Sequence, residues 1–326
     1  MGLFERSGLY TGMTEAHLSC IKDFELKFVC YKEFDDPAEP TFPGLYYKGK
    51  TLPLARVVAV AEAFHPTGNP IPDDINELIQ LFGTFAGMLK DLEKKKVLDH
   101  IWQEVGITLV APLPRPNRIL AIGRNYADHA AELGNESPTE PIVFLKASSS
   151  VIGHESPIVL PSNVGRVDFE GELAVVIGKS GQNISEHDAL SFVAGYTLFN
   201  DVTARDMQKR DLARGLPWFL SKGLDTFGPM GPYIVTPDEV KDPQSLELTV
   251  TVNGEVVQQV NTSKMIFSVA QIIAYLSAKI ALEPGDVIIT GTPSGIAALH
   301  AGDIVEVTIP EIGTLRNPVI GAEMSE

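Results

Sequence analysis

Residues 168–178 join an acidic segment to an apolar strand, and they read Asp168-Phe169-Glu170-Gly171-Glu172-Leu173-Ala174-Val175-Val176-Ile177-Gly178. A second apolar segment ends in another acid and reads Phe192-Val193-Ala194-Gly195-Tyr196-Thr197-Leu198-Phe199-Asn200-Asp201. Because successive side chains of a strand point to opposite faces, Glu170 and Glu172 project to the same side, about 7 Å apart along the backbone. A neighbouring strand that ends at Asp201 adds a third carboxylate. Such carboxylates repel one another unless a cation lies between them.

The chemistry of these three acids indicates the kind of cation. Hard oxygen donors suit Mg²⁺, Mn²⁺ or Ca²⁺ rather than a metal that prefers thiolates. The alternative is a solvated acidic edge of a strand, which is common for an isolated Glu-x-Glu pattern. The apolar runs beside the acids favour the cation site, because a buried strand would carry the acids into the interior.

Composition limits the class of protein. The chain has 326 residues, of which 44% are hydrophobic and 21% charged, so it can bury a sizeable core. Its formal net charge of −16 argues against a nucleic-acid partner, since a phosphate backbone needs a basic face. The two cysteines, Cys20 and Cys30, exclude a disulfide framework and a cysteine-based zinc site. Without a transmembrane or signal-peptide pattern, the sequence predicts a cytoplasmic protein with no membrane partner.

Three prolines in five residues, Pro112, Pro114 and Pro116, predict a stiff connector. We therefore expect an N-terminal accessory domain at residues 1–111 and a second domain at residues 112–326. The first contains short strands near residues 26–31 and 44–48 and a helical pattern over residues 74–103. Nothing in it suggests chemistry, so we assign it a structural or oligomerisation role.

The second domain is rich in strands. Asn253-Gly254 predicts a hairpin over residues 248–260, and the apolar spacing of residues 268–280 predicts an amphipathic helix. Further strands are expected at residues 286–291 and 303–309. Because strands and helices do not alternate regularly, the pattern favours a β-rich α+β fold over a doubly wound sheet.

A histidine and a glutamate form the second candidate site. His129 and Glu132 are three residues apart, which places them on one face of a helical turn. A carboxylate beside an imidazole orients it and increases its basicity, as a base that activates water requires. The alternative is a salt bridge on an exposed turn, which the spacing alone favours.

Several further groups could bind a carboxylate. Lys146, Arg205, Gln208 and Lys222 lie near apolar or glycine-rich sequence, and each is otherwise an ordinary surface residue. The segment Thr290-Gly291-Thr292-Pro293-Ser294-Gly295 ends a strand with amides and hydroxyls that could hold an anion, or it is only a turn.

Taken together, the motifs of residues 116–320 resemble those of the fumarylacetoacetate hydrolase family in its acylpyruvase-like form. The matching motifs are Gly123-Arg124-Asn125-Tyr126-Ala127-Asp128-His129, Phe144-Leu145-Lys146, the segment 168–178, Gly195-Tyr196-Thr197, Asn200-Asp201-Val202-Thr203-Ala204-Arg205-Asp206, Lys222-Gly223-Leu224-Asp225-Thr226-Phe227 and the segment 290–295. Ala147 stands where many relatives have proline, and the N-terminal region matches only loosely.

The resemblance implies the family's mixed β-sandwich roll, usually a homodimer, with a small accessory domain before it. It implies Mg²⁺ or Mn²⁺ held by Glu170, Glu172 and Asp201, and a His129–Glu132 dyad on a lid. It also implies a set of residues that face the substrate. That set is Lys222 as a catalytic residue, with Arg124, Tyr126, Lys146, Arg205, Gln208 and Thr292 as substrate-binding residues.

The implied activity is metal-dependent hydrolysis of a C–C bond in β-diketo acids of the acylpyruvate or fumarylpyruvate type, through a metal-stabilised enolate. The His129–Glu132 pair favours hydrolysis, because an isomerase has less need of a base that activates water. The same site would serve an oxaloacetate decarboxylase, or an isomerase or dehydratase of 2-oxo acids. A non-catalytic β-module that binds a cation is the alternative outside the enzymes.

Overall fold

Strands dominate the structure. The computed structural model describes residues 27–33, 40–47, 49–64, 75–80, 92–101, 107–132 and 136–322, together with Leu89 and Gly134. Its strands are β1 (Lys27–Lys32), β2 (Phe42–Tyr47), β3 (Lys50–Pro53), β4 (Thr108–Val110), β5 (Ile119–Gly123), β6 (Ile142–Lys146), β7 (Val151–Ile152), β8 (Ile158–Leu160), β9 (Val167–Asp168), β10 (Gly171–Ile177), β11 (Val193–Asn200), β12 (Thr203–Ala204), β13 (Gly228–Val235), β14 (Glu247–Val252), β15 (Glu255–Asn261), β16 (Val287–Ile289), β17 (Ile304–Ile309) and β18 (Gly313–Gly321). Its helices are α1 (Leu54–Phe64), α2 (Ile75–Ile79), α3 (Ala127–Glu132), α4 (Arg205–Ala213), α5 (Phe219–Lys222) and α6 (Val269–Ser277).

Two mixed sheets form the framework of the described residues. The larger has the order β3-β2-β1-β13-β11-β10-β16-β5-β6, with β4 beside β1 and β7 beside β13. The smaller has the order β15-β14-β17-β18-β8, and β9 pairs separately with β12. Most neighbours are antiparallel, whereas β16 and β5 run parallel. This arrangement confirms the prediction of a β-rich α+β fold.

Strand β10 lies between two apolar clusters. Leu173 and Val175 pack in the cluster that includes Val250 of the smaller sheet. Ala174 and Val176, on the opposite face of the strand, belong to a cluster that extends to β1 and β2. All seven residues of β10 are buried, so the acids at its beginning lie where two layers of core meet.

The N-terminal strands extend the larger sheet. Strand β1 pairs antiparallel with β13, with Lys27 opposite Val235. The strands expected at residues 26–31 and 44–48 are confirmed as β1 and β2. Of the helical pattern over residues 74–103, the structure contains α2 and a 3-10 turn at Leu98–His100, and much of the remainder lies outside the described residues. The domain boundary at residue 111 stays a prediction.

Two local predictions in the second half are confirmed. Strands β14 and β15 form the hairpin, and Asn253 and Gly254 both have positive φ, as its tight turn requires. Helix α6 begins after Ser268, which forms a capping box with Gln271. It ends at Ser277, three residues before the predicted end, where Lys279 N–H bonds to the Leu276 carbonyl in a tighter turn.

Two smaller observations concern the cysteines and the membrane. Cys30 is buried, and its Sγ donates to the Pro112 carbonyl at 3.4 Å, whereas Cys20 lies outside the described residues. Among the helices that the structure describes, none has the length and apolar character needed to cross a membrane.

Candidate functional site

The three acids of the opening motif meet in space. Glu170 and Glu172 flank Gly171 at the start of β10, and Asp201 directly follows β11. Gly171 lies opposite Asn200 in the antiparallel pair of β10 and β11, and Asp201 N–H donates to the Glu170 carbonyl at 2.7 Å. One carboxylate oxygen from each acid lies within 4.8 Å of the others, and the three residues are at most 4% exposed.

Two lysines bring positive charge to this cluster. Lys222, the last residue of α5, donates from Nζ to Glu170 Oε2 at 2.7 Å and also to Asp201 Oδ2. Lys146, the last residue of β6, has its Nζ 2.7 Å from Asp201 Oδ1. Both lysines are buried, so these ion pairs lie in an environment where water screens them little.

Arg205 adds a third cation at the beginning of α4. Its Nε donates to Asp168 Oδ2 at 2.8 Å, and its Nη2 donates to Glu170 Oε1. Its Nη1 donates to Gln208 Oε1 at 2.7 Å, one helical turn further along α4. Arg205 is therefore held by side chains on both sides of the site, and it fixes Gln208 in turn.

The acids of the cluster differ in how far nearby basic side chains compensate their negative charge. Burial alone would raise the pKa of Glu170, but Lys222 and Arg205 hold that pKa below its ordinary value. Burial, together with the charges of Asp201 and Glu170, raises the pKa of Glu172 well above its ordinary value. Among the described residues, Glu172 thus lacks the basic partners that compensate the charges of Glu170 and Asp201.

The donor set fits a hard divalent cation. Asp201 Oδ1 is buried and lies 2.7 Å from the ammonium of Lys146. Glu172 accepts one backbone hydrogen bond, at 2.6 Å from Gly291 N–H, and no basic side chain donates to it in the described part of the chain. A buried carboxylate without a basic partner, beside two further carboxylates, is what a bound Mg²⁺ or Mn²⁺ would satisfy.

A loop after β16 supplies the donor to Glu172. Asn125 Nδ2 donates to the carbonyl of Thr290 at 2.8 Å and to that of Phe267 at 3.0 Å, which anchors the loop. Gly291 has φ +96, and a Cβ atom there would lie 2.8 Å from the Cβ of Asn125. Because other residues are strained in this conformation, glycine is required for the N–H to point at Glu172.

The predicted dyad is present in α3. His129 is 4% exposed, and its Nδ1 lies 3.3 Å from Glu132 Oε2. The Glu132 carboxylate also accepts from Gly295 N–H at 3.1 Å. This second contact ties α3 to the loop at residues 290–295. Among the described residues, the hydrogen bond of the imidazole is made by Nδ1 and none is made by Nε2.

A buried glutamine that the sequence did not single out connects two walls of the site. Gln258 Oε1 accepts from Gly171 N–H at 3.2 Å. Its Nε2 donates to Thr292 Oγ1 at 3.0 Å and to the Pro293 carbonyl at 2.7 Å. Gln258 lies on β15 of the smaller sheet, and its residue type and local sequence give no signal of this role.

One cavity collects most of the predicted residues. Of the predicted site residues, those that line it are Arg124, His129, Glu170, Glu172, Asp201, Arg205, Gln208, Lys222 and Thr292. Glu132 is not part of the cavity lining but contacts His129, which is. Tyr126 and Lys146 are buried outside the lining: Tyr126 OH has no hydrogen-bond partner among the described residues, and Lys146 donates to the carbonyls of Val202 and Lys222.

Other lining residues were not predicted. They are Ile122, Gly123, Phe144, Lys209, Leu212 and Trp218. Trp218 meets Phe144 edge-on, with their ring centroids 5.2 Å apart. Trp218 directly precedes α5 and Phe144 lies on β6, so only the folded chain brings the two rings together.

Comparisons with known proteins identify the family of this chain. The family model for the fumarylacetoacetate (FAA) hydrolase C-terminal domain matches residues 118–320. A mitochondrial oxaloacetate tautomerase from Xenopus laevis is 44% identical over 236 residues, which cover 69% of this chain and 73% of that protein. A 2,4-didehydro-3-deoxy-L-rhamnonate hydrolase from a Sphingomonas strain is 49% identical over 216 residues, or 64% of this chain and 75% of that protein.

A solved structure extends the comparison. The fumarylpyruvate hydrolase of Pseudomonas aeruginosa, in complex with Mn²⁺ and pyruvate, is 34% identical with a TM-score of 0.61, and the match covers 64% of this chain and 91% of that one. The range of the family model, residues 118–320, spans the three clustered acids, the His129–Glu132 pair and the loop that donates to Glu172. The chain therefore belongs to the fumarylacetoacetate hydrolase family.

Proposed function

We propose that this protein is a metal-dependent hydrolase that cleaves a C–C bond in β-diketo acids of the acylpyruvate or fumarylpyruvate type. The observation that carries the proposal is the position of His129. This buried imidazole lines the same cavity as Glu170, Glu172 and Asp201, and Glu132 holds its Nδ1. A site of this kind combines a base with a place for a cation.

Glu170, Glu172 and Asp201 would hold the cation. When bound, Mg²⁺ or Mn²⁺ supplies a Lewis acid for the carboxylate and keto oxygens of a 2-oxo acid and favours negative charge on the keto oxygen. Mn²⁺ is supported by its presence in the related fumarylpyruvate hydrolase.

His129 would act on water. With Nδ1 facing Glu132, Nε2 takes a proton from a water molecule, whose oxygen adds to the distal carbonyl. The bond between that carbonyl and C3 of the 2-oxo acid then breaks, its electron pair remains on C3, and the proton held at Nε2 returns to C3. The products are a carboxylic acid and a 2-oxo acid, so one water is consumed and the atoms balance.

The basic residues would position the substrate. Lys222 Nζ, already paired with Glu170 and Asp201, would lie beside the oxyanion that forms at the attacked carbonyl. Arg205, Gln208 and Thr292 would orient the carboxylate of the 2-oxo acid. Because Arg205 and Gln208 are bonded to each other at 2.7 Å, they would act as one rigid pair.

A second function is favoured by one comparison. The relative from Xenopus laevis, 44% identical, is an oxaloacetate tautomerase. Tautomerisation needs proton transfer between carbon and oxygen but no attacking water, so the same cavity would serve it with His129 as the proton carrier.

The test measures the turnover of acetylpyruvate and of enol-oxaloacetate in the presence of Mn²⁺. It compares the wild type with His129→Ala and with a control variant, His300→Ala, whose altered side chain is 77% exposed. We expect His129→Ala to lower hydrolysis by about 10²–10⁴-fold, the usual contribution of a general base, with Mn²⁺ affinity and the control unchanged. If the wild type converts enol-oxaloacetate but releases no acetate from acetylpyruvate, hydrolysis is rejected and oxaloacetate tautomerisation is the function supported.

A further inference from the structure

Arg124 is a cation of the cavity that has no anionic partner among the described residues. Arg124 follows β5 and lines the cavity, and no carboxylate or hydrogen bond to its guanidinium is found among the described residues. By contrast, Arg118 pairs with Asp286 and Arg205 pairs with Asp168. Arg124 is therefore a charged group held at the cavity without internal compensation.

The backbone and an aromatic ring hold Arg124 in place. Its φ of +58 lies in the left-handed region, which residues other than glycine rarely adopt. Its Cζ lies 5.7 Å from the centroid of the Trp218 ring, within the range of a cation–π contact. Partial burial lowers the pKa of Arg124, although an arginine keeps its charge. The guanidinium has thus lost part of its water without gaining an anion.

Trp218 is itself fixed. A Cβ atom at Gly123 would lie 2.8 Å from Trp218 Cζ3, so the indole packs directly on the backbone beside Arg124. Phe144 meets the same indole, and Lys222 Nζ lies 5.2 Å from the centroid of the Phe144 ring. Phe144 and Trp218 therefore form an aromatic wall that leads from Lys222, at the carboxylate cluster, to Arg124.

A count of the described acidic and basic side chains around the cavity leaves the positive charge of Arg124 without a counterpart. Lys146, Lys222 and Arg205 match the three clustered acids in number, and Arg166 compensates Asp168, the other acid that pairs with Arg205. A bound divalent cation would therefore leave an excess of positive charge at the inner end. The carboxylate of a 2-oxo acid and the negative charge that develops during cleavage would compensate that excess. Arg124, and the exposed Lys209 that also lines the cavity, would still lack a partner.

We propose that Arg124 binds a second carboxylate at the far end of the substrate, so that this enzyme prefers 2-oxo diacids to 2-oxo acids with an uncharged tail. The inference rests on the proposed function, because it takes the first carboxylate to lie at the cluster of Glu170, Glu172 and Asp201. The flat carbon chain of the substrate would lie along Phe144 and Trp218, and the distal carboxylate would meet the planar guanidinium in a bidentate contact.

Matched pairs of stable acids test the preference without turnover. The pairs are 2-oxoglutarate with 2-oxopentanoate and 2-oxoadipate with 2-oxohexanoate, in which a carboxylate replaces a methyl group. Binding is measured by calorimetry in the presence of Mn²⁺. We expect the wild type to bind the diacid of at least one pair about tenfold or more tightly, which corresponds to about 1.4 kcal/mol.

Variants assign the preference to Arg124. Arg124→Gln should reduce the ratio to below about threefold while the affinity for the uncharged-tail acid stays the same, since one charge-assisted contact is lost. Arg124→Asn is a second variant, because asparagine tolerates the left-handed backbone. Arg214→Gln, an exposed arginine outside the cavity lining, removes the same charge and should leave the ratio unchanged.

Each outcome decides the inference. Equal binding of diacid and uncharged-tail acid in both pairs would overturn the role of Arg124 and leave the proposed function standing. A preference that persists in both Arg124 variants would also overturn it. Absence of Mn²⁺-dependent binding of all four acids, together with no hydrolysis of acylpyruvates, would overturn the proposed function and the inference with it.

Discussion

Gln258 accepts a hydrogen bond from the backbone N–H of Gly171 at 3.2 Å, although 87 positions separate the two residues. Gly171 lies between Glu170 and Glu172, and the other end of the same amide donates to Thr292 Oγ1. One buried side chain of the smaller sheet therefore holds the acidic strand and the loop at residues 290–295 at a fixed separation.

Gln258→Leu should weaken the site without unfolding the protein. The substitution leaves the Gly171 N–H and Thr292 Oγ1 without a partner, and each unsatisfied buried group costs about 1–3 kcal/mol. We expect the free energy of unfolding and the Mn²⁺ affinity both to fall, as measured by chemical denaturation and calorimetry. Gln259→Leu changes an exposed neighbour on the same strand and is the control. Equal Mn²⁺ affinity in the two variants would show that Gln258 does not position the acids.

Gly171→Ala tests the packing between the two sheets. A Cβ atom at residue 171 would lie 2.3 Å from Val250 Cγ2, so the strand or Val250 must move. Overpacking of this kind costs about 1–3 kcal/mol, and the displaced strand should also lose Mn²⁺ affinity. The double variant Gly171→Ala/Val250→Ala restores the space, and we expect it to recover part of the Mn²⁺ affinity lost in the single variant. No recovery would mean that Val250 is not the obstacle.

Glu132→Gln should lower turnover while substrate binding is retained. Glutamine can still accept from Gly295 N–H, but it no longer provides the negative charge beside His129. Because a general base contributes about 10²–10⁴-fold, we expect kcat for acylpyruvate hydrolysis to fall by at least about tenfold with KM nearly constant. Glu136→Gln alters an exposed acid that follows the same helix and serves as control. A loss confined to KM would contradict an orienting role for Glu132.

Glu172→Gln should have opposite effects on the metal-free and metal-bound protein. Without metal, burial and the charges of Glu170 and Asp201 disfavour the Glu172 carboxylate, so its removal should raise the thermal midpoint. With metal, one ligand is weakened, and Mn²⁺ affinity should fall by more than about tenfold, since even outer partners of a metal change affinity by about 10–100-fold. Glu186→Gln is the exposed control. A fall in the metal-free midpoint would contradict the repulsion.

Much of the site could be predicted from short-range patterns. Strand alternation placed Glu170 and Glu172 on one face, and helical spacing paired His129 with Glu132. The Asn253-Gly254 turn and the Ser268 cap likewise depend on neighbours within a few residues, and the structure contains both. These elements are predictable because the interactions that form them are local.

The remaining features depend on contacts between distant parts of the chain. Gln258 is an ordinary polar residue in its hairpin until the two sheets pack, and Trp218 reaches the cavity only because Gly123 leaves room for it. Tyr126 and Lys146 were assigned to the substrate site through their motifs, yet both lie buried outside the cavity lining. Motif position identifies the neighbourhood of a side chain, whereas packing decides the direction in which it points.

The most direct test of the account is the dependence of C–C cleavage on a metal bound by the three acids. Hydrolysis of acetylpyruvate is followed by the release of pyruvate, with protein treated with EDTA and then titrated with Mn²⁺. We predict negligible turnover after EDTA, and full recovery at one Mn²⁺ per chain in wild type but not in Asp201→Asn. Turnover that survives EDTA undiminished would contradict the central claim. So would Mn²⁺ that restores turnover in Asp201→Asn as readily as in the wild type.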